Sequence, residues 1–214
     1  MPKYLLRNLC LSSILLLCVS CSVTRGYKLT GQNVSRPNPM EEAATASDHG
    51  LKYKMSIQLF RNYFTGILLY KKTDPTTYHI AFVTELGLKM FEMEIKSGIL
   101  KTLYCFEPMN KPKVRSLLEY HMNILFLTDL DKTIAKVYTT PIGDKLFLSK
   151  NGKEKRLYFE KGKFIAKAKI RKSISTKVKA NYFYKESTIA PETIKLKHNG
   201  FLCLKIELNK ISNE

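Results

Sequence analysis

The stretch "TGILLYKKTDPTTYHIAFVTELGLKMFEMEIKSG", Thr65 to Gly98, alternates apolar and polar residues and is broken at short intervals by turn residues. A run from Phe64 to Lys72 is closed by "TDPTT", and Tyr78, Ile80 and Phe82 then share one face of the next run. After a turn at Gly87, Phe91, Met93 and Ile95 stand opposite Glu92, Glu94 and Lys96. Successive side chains of a strand point to opposite faces, so this period of two predicts an antiparallel meander with one apolar face. Gly98 leads into a further strand, "ILKTLYCFE".

One segment changes period. After Pro112, Val114, Leu117, Leu118, His121 and Leu125 recur at helical spacing, with Met122 and Phe126 alongside, which predicts one amphipathic helix of four to five turns. Strands then resume. Phe164, Ala166, Ala168 and Ile170 oppose Lys167 and Lys169, and Ile174, Val178, Tyr182 and Tyr184 oppose Lys177 and Lys179. Ile194 and Leu196 oppose Lys195 and Lys197, and a turn at Asn199 and Gly200 leads to Leu202, Leu204 and Ile206. Strands with one apolar and one lysine-bearing face imply a sheet wet on one side. A single helix covers only part of so long an apolar face. The remainder closes as a barrel, packs on another sheet, or leaves a cavity.

The amino terminus decides the compartment. Lys3 and Arg7 precede an uncharged, mostly apolar run from Leu9 to Val19, the layout of a secretory signal. It is too short for a spanning helix, which needs about 20 apolar residues. Ser20 stands directly before Cys21, and the pattern resembles a bacterial lipobox with Cys18 in place of the usual leucine. The resemblance implies acylation of Cys21 and cleavage before it. A CxxC metal or redox pair and ordinary signal cleavage are the alternatives for the same residues. Two or three acyl chains anchor stably where one does not. Ser22, in place of an Asp that would resemble an inner-membrane retention signal, points to the outer membrane. The expected organisation is a signal over 1–20, a polar tether over 21–51 rich in Gly, Pro, Asn and Ser, and one domain over 52–214.

The 214-residue chain carries a net charge of +18, and from Lys145 to Glu214 eighteen lysines and arginines stand against six acidic residues. Such an excess suggests nucleic acid in a cytoplasmic protein. In an exported lipoprotein the nearer anions are phospholipid head groups and lipopolysaccharide phosphates, so nucleic acid is not the expected partner. Lys167, Lys169, Lys177, Lys179, Lys195 and Lys197 are the candidates to meet them, with a merely solvated lysine surface as the alternative.

Catalytic and metal chemistry finds little support. The four histidines are scattered, without HxxxH or HxH spacing, and neither GxSxG, GxxxxGK[ST] nor GxGxxG occurs. Glu92 and Glu94 read as a solvated pair on a strand. Cys105 and Cys203 are too few for a disulfide framework, and a single bridge between them is allowed but not implied. The expectation is a non-enzymatic protein with no metal and no cofactor.

Taken in order, the Gly66 strand, the Tyr78 strand, "ELGLKMFEMEI", the helix and the strands ending in "IKLKHNGFLCLKIEL" resemble the LolA/LolB-like lipoprotein-localisation superfamily over most of the chain after about Lys54. The resemblance implies a mainly β (α+β) fold, an antiparallel curved sheet forming an unclosed half-barrel with one or more helices covering its concave face. It also implies that this face holds acyl chains. By face, Leu68, Tyr78, Ile80, Phe82, Phe91, Met93 and Ile95 would line the cavity, with Leu118, Met122 and Leu125 from the helix as a lid. The alternative for each is a closed-core residue. The expected function is an outer-membrane-anchored, periplasm-facing lipoprotein that binds an acyl chain of a lipid or lipoprotein. The rival is an envelope interaction module with a closed core, and an unrecognised hydrolase comes third.

Overall fold

A computed structural model describes residues 26–34, 36–59, 62–130, 136–172, 175–185, 188–199 and 203–211. Cys21, with the rest of the expected signal, lies outside the described residues, as do Ile174, Gly200 and Leu202.

Among the described residues, thirteen strands form one antiparallel sheet. They are β1 (Lys28–Gln32), β2 (Leu51–Leu59), β3 (Asn62–Asp74), β4 (Thr77–Thr84), β5 (Lys89–Lys96), β6 (Ile99–Cys105), β7 (Lys136–Thr139), β8 (Lys145–Asn151), β9 (Glu154–Lys161), β10 (Phe164–Lys172), β11 (Ser175–Phe183), β12 (Thr193–His198) and β13 (Leu204–Lys210). Their spatial order is β1-β7-β8-β9-β10-β11-β12-β13-β2-β3-β4-β5-β6. β1 and β6 end the sheet without pairing to each other, so the barrel is unclosed. Two helices, α1 (Pro39–Thr45) and α2 (Pro112–Leu125), cover its concave face.

The meander read from Thr65 to Gly98 is present as β3, β4 and β5, with Tyr78, Ile80 and Phe82 in register with Ile95, Met93 and Phe91. At Gly66 the backbone of β4 approaches β3 closely. A Cβ there would lie 2.1 Å from the Val83 carbonyl oxygen, a contact no side chain tolerates.

Where the structure differs from the sequence reading, it does so for local reasons. Within the expected tether, Lys28–Gln32 forms a strand and Pro39–Thr45 a helix. β1 pairs with β7, and α1 buries Pro39, Met40, Ala43 and Ala44 in the core. The Asn38 side chain caps α1 by accepting from the Met40 N–H, and its amide donates to the Phe126 carbonyl at 2.8 Å. A seven-residue helix with so short an apolar stripe is hidden in a polar sequence. In β10 a bulge between Ile165 and Lys167 turns Ile165 inward, so that Ala168 and Ile170, but neither Phe164 nor Ala166, share the buried face with it. α2 begins at Pro112, the first-turn position that proline tolerates, and ends where Leu127 takes a positive φ of 55°. No described helix is long and apolar enough to cross a membrane.

Candidate functional site

The period-two alternation sends one face of every central strand inward. All ten residues expected around a cavity are buried and belong to one core. Leu68, Ile80, Phe82, Phe91, Met93 and Ile95 are wholly inaccessible, as are Met122 and Leu125, and Tyr78 and Leu118 nearly so. The space between sheet and helices is occupied by the chain's own side chains. Phe126 tilts against Tyr70 at 4.6 Å between ring centroids, Tyr70 stacks on Tyr78 at 5.5 Å, and Phe82 meets Phe91 at 5.3 Å. Tyr53, Met55, Ile57 and Tyr70 complete this face and were missed. The run Leu51 to Leu59 alternates residue by residue, a signal that was present in the sequence.

α2 lies over the concave face and is fastened by polar bonds at the β6 edge of the sheet and at its middle. On the side of the free strand β6, Glu119 accepts from the Thr102 N–H at 3.0 Å and from its hydroxyl at 2.7 Å. This carboxylate satisfies an amide that an edge strand would otherwise leave unpaired. At the middle of the sheet, His121 Nε2 meets His198 Nδ1 of β12 at 2.9 Å. The tautomers follow from a second contact. The Leu117 carbonyl, 2.6 Å from His121 Nδ1, can only accept. His121 therefore carries its proton on Nδ1, leaves Nε2 as an acceptor, and receives the Nδ1 proton of His198. The Tyr182 hydroxyl of β11 donates to the Ile124 carbonyl at the end of α2, and Arg156 pairs with Asp129 just beyond it.

Burial pushes His121 down to about 4, with His198 adding to the fall and the bond to Leu117 opposing it. His198 is lowered by burial and by the Lys177 charge. Two histidines read as scattered thus form a pair, 77 positions apart in sequence. Among the described residues no three His, Cys, Asp or Glu side chains gather as a metal site. Cys105 is buried, Cys203 is exposed, and no disulfide joins them. Burial pushes the Cys105 thiol up, which favours the unreactive protonated form. Glu92 and Glu94 sit half-exposed on either side of His79, at 3.7 and 3.6 Å.

Five of the six lysines expected on an outer surface share the convex face. Lys167 and Lys169 lie over the Phe159 ring at 5.9 and 5.2 Å, and Lys195 pairs with Glu207 at 3.1 Å. Lys177 departs from them. The β10–β11 register slips between Ile170 and Arg171, and Lys177 borders the recess beneath α2 with Pro112, Tyr120, Glu154 and His198.

No family model matches the chain, and no curated protein matches it. Among solved structures it is similar to a LolA superfamily protein from Nitrosomonas europaea, with 7% identity, 84% of this chain and 92% of that chain covered, and a TM-score of 0.43. It is also similar to a putative outer membrane lipoprotein-sorting protein domain from Vibrio parahaemolyticus, with 9% identity, 81% and 89% covered, and a TM-score of 0.44. At these scores neither likeness bears on what the chain binds.

Proposed function

We propose that the chain is a non-enzymatic envelope lipoprotein, anchored to the outer membrane through acylated Cys21 and facing the periplasm, whose concave face takes an acyl chain of a lipid or lipoprotein when α2 lifts. One observation carries the reading. The concave face of an open sheet is mostly apolar, with Ser149, Glu160 and His198 as buried polar groups among its inward positions, and the helix over it is tied to β6, β12 and β11 by side-chain hydrogen bonds of Glu119, His121 and the Tyr182 hydroxyl. Such bonds contribute about 1 kcal/mol each. Lifting α2 also uncovers Leu118, Met122, Ile124 and Leu125, at about 1.5–3 kcal/mol each, so the entering chain has to replace the apolar contacts it displaces. An entering chain would gain about 25 cal/mol for each Å2 of apolar surface removed from water, before ordering costs.

The test is titration of the Cys21→Ala protein with a fluorescent fatty acid, followed by hydrogen exchange. The reading expects saturable binding together with faster exchange in α2. Absence of saturable binding favours the second reading, an interaction module with a closed core. The burial of all ten candidate residues, eight of them completely, against the chain's own side chains supports that alternative.

A further inference from the structure

The strand registers align four lysines that the sequence shows only as separate alternations. Lys169 of β10 is directly opposite Lys179 of β11, Lys179 opposite Lys197 of β12, and Lys197 opposite Lys205 of β13. At 4.7–4.9 Å between strands the four span about 14 Å in a straight row. The row continues through Gln58 to Tyr63, which is 65% exposed. At the other end Phe159 lies under Lys169 and Lys167. Glu207, already paired with Lys195, is the one carboxylate that the described residues of β10 to β13 carry.

Folding alone gives no reason for this row. Like charges directly opposite one another destabilise a sheet, and lysine is a weak strand former. Exposed alternate positions are filled as well by Thr, Ser or Gln. Lysine guards free edges against aggregation, but these four strands stand in the middle of the sheet. Lys169 is pushed down by burial and by Lys167, Lys179 and Arg171, a crowding of like charge that a bound anion would relieve.

We propose that this convex face docks on an anionic phospholipid surface, with lipid phosphates along Lys169, Lys179, Lys197 and Lys205, so that α2 and the concave face point away from the bilayer. The inference rests on the envelope location proposed above and adds an orientation to it. Lysine is a compact point charge suited to diffuse lipid charge, whereas paired recognition of individual phosphates favours arginine. Exposed Tyr63 has the amphipathic ring that sits at head-group level. Single-stranded nucleic acid stacks its bases on successive aromatic side chains along a groove, and the recess on this face, between Gln58, Lys195, Lys197 and Lys205, presents Tyr63 as its one aromatic ring.

The full chain is sedimented with phosphatidylcholine vesicles with and without phosphatidylglycerol, over a range of salt. The ratio of the two affinities cancels any contribution of the lipid anchor. Preference for the anionic vesicles should fall with salt and drop about fivefold for each row lysine changed to Gln. Lys96→Gln, Lys101→Gln, Lys113→Gln and Lys153→Gln together, which remove the same charge elsewhere, should leave it nearly unchanged. Acetylation footprinting should show Lys169, Lys179, Lys197 and Lys205 protected on anionic vesicles and Lys113 on α2 still reactive. Equal losses in both quadruple variants, protection of Lys113, or stronger row-dependent binding to a single-stranded oligonucleotide than to vesicles would each overturn the proposal. Neither result depends on whether an acyl chain enters the core, so the two claims fail separately.

Discussion

His121 Nε2 and His198 Nδ1, 2.9 Å apart, join α2 to β12 by a bond that holds only while at least one ring has a bare nitrogen. One added proton, on His198 Nε2, leaves the bond intact. A second, on His121 Nε2, replaces it with two donors face to face. Lys177 adds positive charge beside His198, and Glu154 and Arg156 oppose one another near Tyr120.

The pH dependence follows from the sign of the shift. His121 is held at about 4 in the fold against 6.5 when unfolded, so between those values the unfolded chain binds the extra proton. Stability contributed by the neutral ring is complete above about pH 6.5 and declines as pH falls toward 4, by about 3 kcal/mol. Denaturant midpoints of the protein and of His121→Leu, measured from pH 7 to pH 4, should converge on acidification as the variant loses this slope. Parallel curves would contradict the assignment.

Gly66→Ala should cost more than about 3 kcal/mol, because the added methyl meets backbone rather than a movable side chain. A melting temperature near that of the parent would show that β3 and β4 do not approach as described.

Lys179 stands between two directly opposed lysines, so Lys179→Thr should raise stability by about 0.5 kcal/mol while weakening anionic-vesicle binding. Lowered stability would mean that the lysine stem is needed for packing, and unchanged vesicle binding would mean that its charge is not retained for a partner.

Much of the fold was legible because its strands are half-buried. Period two is clear in β3 to β5, β12 and β13, and the spacing of Leu117, Leu118, His121 and Leu125 gave α2. β8 and β9 escaped because Leu146 with Phe147, and Leu157 with Tyr158, are buried as adjacent pairs, which erases the alternation. The site was less legible. That Glu119 would reach Thr102, that His121 would meet His198, or that four lysines would align depends on strand register. Register across strands is set by bulges and by turn geometry, and a single sequence shows where turns fall but not the bulges that shift the pairing.

Acylation is tested by metabolic labelling with a palmitate analogue. Incorporation should disappear in Cys21→Ala, and label persisting in that variant would remove the lipobox assignment.

The most direct measurement of the central claim is native mass spectrometry of the Cys21→Ala protein, exported to a Gram-negative periplasm and purified without detergent. The account predicts a discrete added mass that releases a phospholipid or fatty acid on activation. A clean apo mass, unchanged after incubation with lipids, would contradict it and leave the concave face as a core filled by its own side chains.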